Sequence, residues 1–589
     1  MVRKLTGVAI CIALFCESAM AQDAKTVIAS AQKALGDLKS ITYSGSGKDV
    51  SFQQCGANST DQICKGTHNP MRPINNYVRV IDLTAPLSRA TGATMNVVGG
   101  GGSTTIGPGT FSQQIAAQAT DVGTWNGAVG GNVEFYITPW GFLKGAAANN
   151  ATASKQKGYT VLTWHPTAKA PSGKEYTING YVNDKNIVER VETWLPDNIM
   201  GDMHVLAVYS GWKDFGGVMA PTKIVQTRGG FPYFEVDVTA AKANPTDLAT
   251  LALPPAPAAG GRGGAGAPPA AAAAAPPAAA AGGGRGGAGG AAAAGGGGRG
   301  GAGGAAGAGG GRGGAGGAAA AGGGGRGGQG GGAGAIPPVP GAPAAAPAAA
   351  QGGRGGAPAP LVVTSEKLGD GLYRFTTGTG SYDSVIVEFK DYIMMLEGPQ
   401  SIARGSAYVA EAKKLIPNKP IRYVFVTHPH SDHTGGLPSL VAEGATIITY
   451  KTNEDFLEKS LNTPRTLLDP NTDPLAKNPK PAKVEGMGEK KVFSDGTRRV
   501  EFYHVPGAPH SNGLMIAYIP KEKVLFQGDF SVNPGEAAND HVKALGPVLD
   551  KLNLDYNRYI NVHVSAAPQS KADVMKALED RKKADAAGK

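Results

Sequence analysis

Residues 421 to 436 read Ile-Arg-Tyr-Val-Phe-Val-Thr-His-Pro-His-Ser-Asp-His-Thr-Gly-Gly, an apolar run that ends in three histidines and a carboxylate within six residues. Imidazole and carboxylate are ligands that suit zinc and similar divalent ions, and the rigid end of a strand can aim several of them at one point. Histidines of a surface loop are ordinarily solvated, but His428, His430 and His433 are three of the ten in the chain and stand beside Asp432. The pattern predicts a metal site. Three later positions extend it: His510 follows the run 500–505, Asp529 follows 523–526, and His563 ends the apolar segment that begins at Ile560. Each places one donor just beyond a β-rich run, where a turn Asp or a strand histidine would be unremarkable alone.

The elements that must position these residues follow from periodicity. From Leu361 onward, strand-like runs at 372–376, 384–389, 392–396 and 423–427 are interleaved with helical spacing at 406–416, 434–442, 454–461, 541–552 and 571–582. Such interleaving predicts a layered α/β domain with reactive loops at strand ends. Before that, Val27, Ile28, Ala31, Leu35 and Leu38 recur at helical spacing, and alternating runs at 176–182, 187–195, 203–212, 218–227 and 233–238 predict a largely antiparallel sheet with a helix against it. His68, His165 and His204 in this half are isolated and read as surface or packing residues, and the glycine run 99–102 lacks the Lys-Ser/Thr of a phosphate loop.

The order His-x-His-x-Asp-His, His510, Asp529, His563 resembles the metallo-β-lactamase superfamily over roughly residues 361 to 585. The resemblance implies an αβ/βα sandwich with a dinuclear metal site. It assigns His428, His430 and His510 to one metal, Asp432, His433 and His563 to the other, and Asp529 to a bridge, with two divalent ions, zinc by expectation, as cofactors. Glu397 stands where many members have Asp, and Val564 follows His563 where Gly is usual. Two cations about 3.5 to 4 Å apart can share a water and lower its pKa from 15.7 to about 7. The expected reaction is hydrolysis by a metal-bridging hydroxide, with Asp432 as the catalytic carboxylate that orients the nucleophile and shuttles its proton. As the resemblance implies, dedicated β-lactamases tend to lack the bridging Asp, whereas glyoxalase-II-like thioesterases, lactonases and phosphodiesterases have it. Asp529 therefore points to an ester-like bond in a small substrate. The segment 451–481, rich in Lys, Asp, Asn and Pro, is expected to rim or cover the pocket. In the first half, Tyr209-Ser-Gly-Trp-Lys-Asp-Phe-Gly-Gly-Val-Met-Ala-Pro-Thr-Lys-Ile loosely resembles the curved-sheet domains of periplasmic lipoprotein carriers, which implies an envelope or lipid-like ligand there.

Composition organises the rest. At 589 residues the chain exceeds one core, and residues 254–360 are almost entirely Gly, Ala and Pro with six arginines and no acidic residue. So little apolar side chain cannot offset ordering entropy, which predicts a disordered tether spanning about 55 to 60 Å root-mean-square. Domains are thus expected at 23–253, β-rich, and 361–589, α/β. Residues 1–22 have the parts of a cleavable secretory signal: Arg3 and Lys4, an apolar core from Leu5 to Cys16, and Ala19-Met20-Ala21. Periplasmic or secreted location follows as an expectation, with Cys55 and Cys64 then forming a local disulfide. Of the net charge of +10, the first 22 residues carry +1 and the tract +6, which leaves +3 for the folded parts. That ordinary charge argues against nucleic acid as the partner, although the Arg-Gly-Gly repeats keep a nuclease as an alternative. A carrier with a degenerate site is the other alternative, and the complete donor set argues against it.

Overall fold

The computed structural model describes residues 23–49, 71–84, 87–97, 106–115, 133–248, 251, 361–377, 382–508, 510–533, 535–563 and 568–588. The signal-like segment 1–22, Cys55, Cys64, His68, the glycine run 99–102, the tract 254–360 and Val564 lie outside them. No helix of the described residues is long and apolar enough to cross a membrane.

In the C-terminal half, seven strands pair in sequence order: Val363–Gly369, Leu372–Thr377, Ser384–Glu388, Ile393–Leu396, Ile421–Phe425, Thr446–Tyr450 and Lys483–Met487. The first four pair antiparallel and the last four parallel, Ile393–Leu396 belonging to both sets. A second sheet of Lys490–Ser494, Arg499–His504, Met515–Ile519, Val524–Gln527 and Arg558–Asn561 closes with a parallel pair. The inner strands of both sheets, such as Ser384–Glu388, Ile393–Leu396, Met515–Ile519 and Val524–Gln527, are buried on both faces, which is why they read as unbroken apolar runs, whereas the edge strands Val363–Gly369, Lys483–Met487 and Lys490–Ser494 are largely exposed. In Met515–Ile519, Met515, Ala517 and Ile519 face the other sheet, while Ile516 and Tyr518 pack under the helices Asp540–Leu552 and Lys571–Ala586. In Ile393–Leu396, Met394 and Leu396 face the second sheet, and Ile393 and Met395 pack in a core shared with the helices Ile402–Leu415 and Leu437–Glu443. Phe425 stacks on Phe502 across the intersheet core, with ring centroids 4.1 Å apart. The layers are therefore αβ/βα, as the resemblance implies.

The sheet-rich N-terminal half holds eleven described strands in one antiparallel sheet. The helix Ala24–Leu35 packs Val27, Ile28, Ala31 and Leu35 on it and stops at Gly36, whose backbone is left-handed, so Leu38 lies past the helix rather than in its stripe. The run expected at 218–227 is interrupted at Pro221 into Met219–Ala220 and Lys223–Arg228, because proline gives no N–H to a ladder.

The two halves form one compact unit, and one hydrophobic core continues from Val27 and Tyr209 to Val424 and Leu457. The segment 451–481 makes much of this junction. Its helix Glu454–Leu461 sets Phe456 edge-on to Phe231 at 5.5 Å. Asp202 accepts the N–H groups of Thr466 and Leu467 at 2.9 and 2.8 Å. Arg465, buried against Asp473, donates to the Asn198 carbonyl at 2.7 Å. The stretch 456–467 of the segment expected at the pocket rim thus docks on the N-terminal half, where Asp202 N–H also donates to the Pro464 carbonyl and Ser172 N–H to the Leu467 carbonyl.

Elsewhere on that sheet, Glu192 accepts from Tyr181 at 2.6 Å and Asn179 at 3.2 Å, and pairs with His204 at 3.0 Å. Burial opposes its charge, but these partners hold its pKa down at about 2. A folded-state value below the ordinary 4.5 contributes stability that is complete above that value and is lost as pH falls from 4.5 towards 2. Chemical denaturation across that window should show a steeper acid loss for the native chain than for Glu192→Gln, whose stability is lower at neutral pH and flatter in acid.

Candidate metal centre

Every donor sits where a strand gives way to a loop at one edge of the sandwich. Ile421–Phe425 leads into His428 and His430, and the turn Ser431–Thr434 carries Asp432 and His433. Arg499–His504 leads to His510, Val524–Gln527 to Asp529, and Arg558–Asn561 to His563. The loops are tied in two pairs: Met515 N–H, at the end of the His510 loop, donates to the Thr427 carbonyl at 2.9 Å, and Val562 N–H, beside His563, donates to the Gln527 carbonyl at 3.2 Å.

The seven side chains expected from sequence converge in two groups, one of His428, His430, His510 and Asp529 and one of Asp432, His433 and His563. In the first, His428 Nε2 lies 2.9 Å from His430 Nδ1 and 3.2 Å from His510 Nε2. In the second, His433 Nε2 lies 3.0 Å from His563 Nε2, and Asp432 Oδ2 is 3.6 and 3.4 Å from those two nitrogens. Asp529 joins the groups. Its Oδ2 is 2.5 Å from His510 Nε2 and 3.3 Å from His428 Nε2, while its Oδ1 is 2.7 Å from His563 Nε2 and 3.1 Å from His433 Nε2.

These residues fit divalent ions. Donors held about 2.0 to 2.1 Å from a tetrahedral ion stand about 3.3 Å from one another, which matches the separations within each group. Imidazole nitrogens that face one another at this range oppose lone pairs unless a cation or proton lies between them, and one cation per group satisfies every donor at once. His428, His430 and His433 are buried, whereas Asp432, His510, Asp529 and His563 are partly exposed and leave the centre open on one side.

Electrostatics follow the neighbours. Burial together with the adjacent His433 and His430 keeps the His428 imidazole well below the ordinary histidine value, so its lone pair is available. Burial also disfavours charge on His433, yet Asp529, Asp432 and Glu397 raise it well above that value. The same balance raises His563, with Asp529 as the main opposing charge. Burial disfavours the Asp529 and Asp432 carboxylates, but the surrounding imidazoles hold both below the usual carboxylate range.

Supporting contacts fix the donors. Thr427 Oγ1 lies 3.1 Å from His428 Nδ1, which leaves Nε2 turned to the centre. Glu397 is fully buried, accepts the Thr427 N–H at 2.9 Å and faces His433 Nδ1 at 3.6 Å. It does so from a left-handed backbone at φ +75°, a conformation uncommon for a residue other than glycine. Gln400 N–H holds the Asp432 carbonyl at 2.7 Å. Two residues near the centre carried no sequence signal. His541, at the start of its helix, is buried 4.9 Å edge-on to His510 and is pushed down to about 4 by burial and by that neighbour. Tyr382 sits edge-on to His563 at 5.2 Å, with its carbonyl accepting from Tyr408 at 2.7 Å. Neither belongs to a spaced motif, and only the fold brings them in. His165 and His204 stay far from the centre in role, one against the Tyr176 carbonyl and one on Glu192.

Residues 377–587 match the family model described as the metallo-beta-lactamase superfamily. The C-terminal domain belongs to that superfamily. Among similar proteins, a metallo-beta-lactamase type 2 of Elizabethkingia meningoseptica is 26% identical over 172 residues, 28% of this chain and 61% of that protein. A hydroxyacylglutathione hydrolase of Pelagibacter ubique is 27% identical over 135 residues, 22% of this chain and 46% of that protein. The chain thus spans about half to three fifths of the length of these relatives. A solved metallo-beta-lactamase from Pontibacter korlensis is 16% identical with a TM-score of 0.28, covering 37% of this chain and all of that one.

Gly528 shows how tightly the domain is built around the centre: a Cβ there would come 2.6 Å from Thr427 Oγ1 and 3.3 Å from His428 Nδ1. Gly528→Ala should cost about 1 to 3 kcal/mol in urea denaturation and lower metal retention on dialysis, as overpacking does. Gly488→Ala, where the added carbon meets nothing within 4 Å, should change neither.

Proposed function

We propose that this protein is an exported dinuclear-metal hydrolase that cleaves an ester-like bond in a small substrate, a lactone, a thioester or a related compound. The observation that carries the reading is Asp529, whose two oxygens are divided between two complete donor groups. A single-metal site has no use for that division. In this reading His428, His430 and His510 hold one ion, Asp432, His433 and His563 the other, and Asp529 both.

Bound divalent ions would supply Lewis acidity and bring the pKa of a water from 15.7 to about 7. The chain supplies the rest. Asp432, held in its ionised form and partly open to solvent, is placed to accept a proton from an attacking water through the carboxylate oxygen that does not hold the ion and to return it to the leaving group. His433 and Asp432 are kept in register by Glu397 and Gln400, so the proton acceptor does not wander. The partly exposed donors leave one open side from which a substrate carbonyl can approach. The names of the two relatives, a lactamase and a hydroxyacylglutathione hydrolase, support hydrolysis as the reaction class. Export rests on the segment 1–22, whose charged start, apolar core and Ala19-Met20-Ala21 read as a cleavable signal.

Elemental analysis of the purified, zinc-reconstituted chain should find two metals per chain, with Asp529→Ala and His433→Ala lowering that number. A screen of lactone, thioester, β-lactam, phosphodiester and sulfate ester substrates should find turnover with the first two, reduced about a hundredfold in Asp529→Ala, at the upper end of the roughly 10- to 100-fold that losing even a supporting partner of a metal ligand costs. Reconstituted protein without metal would overturn the reading, and so would turnover unaffected by Asp529→Ala.

A further inference from the structure

A cavity of about 630 Å³ lies between the outer face of the N-terminal sheet and the end of the helix Glu454–Leu461. It is separate from the metal centre: none of the seven donors lines it. Its sheet wall carries an aromatic surface. Trp194 and His204, opposite each other on the paired strands Val188–Asp197 and Gly201–Ser210, stack with centroids 5.1 Å apart and planes within 28°. The pair of His204 with Glu192 at 3.0 Å fixes that ring. Met200, a buried thioether of the kind that favours contact with aromatic rings, borders this wall beside Gly229, whereas Met203 alternates with His204 and turns into the core with Leu195 and Val205. The junction itself is built closely, for Gly201 has a left-handed backbone at φ +60° and a Cβ there would come 2.4 Å from the Pro464 carbonyl.

The lining carries two acids and two lysines, which differ in their partners. Its two acids are engaged: Glu175 pairs with Lys169 at 2.6 Å, and both Asp202 oxygens accept backbone N–H groups of the facing segment. Its cations are less so. Lys459 stands over the Phe231 ring at 4.8 Å, and no carboxylate of the described residues pairs with the exposed Lys174 ammonium. An aromatic and thioether wall under two lysines suits a flat apolar body that carries one negative group.

We infer that this junction cavity is a binding site for a small aromatic anion, an aromatic ring system bearing a carboxylate or sulfonate. The site is formed by both halves of the chain and does not depend on the metal reading. It also differs from the inner face of the sheet, which is filled by Trp140, Phe142 and Leu143 of the helix Pro139–Ala148.

The test uses the full chain and 8-anilinonaphthalene-1-sulfonate, followed by fluorescence and by calorimetry, with decanoate and inorganic phosphate as comparators. The expected result is saturable binding at one site per chain, tighter than decanoate, with no binding of phosphate. Lys174→Glu should weaken the sulfonate at least fivefold, whereas Lys33→Glu, the same charge change on the N-terminal helix, should leave it unchanged. Thr463→Trp, which places a ring in the cavity, should abolish it. Binding that is unsaturable, that survives Thr463→Trp in a folded variant, that falls equally with Lys33→Glu, or that favours decanoate would each overturn the inference. Because apo protein serves throughout, failure here leaves the hydrolase reading untouched, and failure of metal binding leaves this site untouched.

Discussion

The carboxylate of Asp529 lies among four imidazoles, and the C-terminal domain is organised around making that tolerable. A partly buried charge is costly unless it is compensated, and here compensation comes from His510 and His428 on one oxygen and His563 and His433 on the other. The imidazoles in turn face one another at hydrogen-bond distance, which is unfavourable without protons or cations between them. The arrangement can persist because the donors stand on strand ends whose apolar runs are locked on both faces. The intersheet core of Phe425, Phe502, Met515 and Phe526 supplies the rigidity that the polar edge cannot.

The same logic explains the ring of supporting contacts. Glu397 gives up a relaxed backbone to reach Thr427 and His433 at once, and Gly528 gives up a side chain so that His428 and Thr427 can close behind Asp529. Local strain is concentrated behind the donors and offset by burial elsewhere. Function here is a property of the edge, and stability a property of the layers beneath it.

The junction adds a second theme. The segment 451–481 begins beside the centre, where Asn453 donates to the Gly513 carbonyl at 3.3 Å in the loop of His510, and then crosses to the N-terminal sheet. One chain segment therefore touches both the donor loops and the partner domain. The long Gly/Ala/Pro tract between the halves separates them in sequence, but the described residues share a continuous core.

Much of this was legible in the sequence. The seven donors were marked by residue type and by their position after apolar runs, and period-two or unbroken apolar patterning marked the strands that carry them, because strand ends and ligand chemistry both leave local signatures. Glu397 was legible only through a family resemblance. What the sequence did not determine is the pairing of Asp529's oxygens, the approach of His541 and Tyr382, the break at Pro221 within an alternating run, and the docking of 456–467 on the N-terminal half rather than over the pocket. These depend on which surfaces meet, and contacts between residues hundreds of positions apart, such as Asp202 with Leu467, are set by packing of whole layers rather than by any local pattern. The chain's own letters fixed the chemistry on offer; the tertiary structure decided which groups face each other.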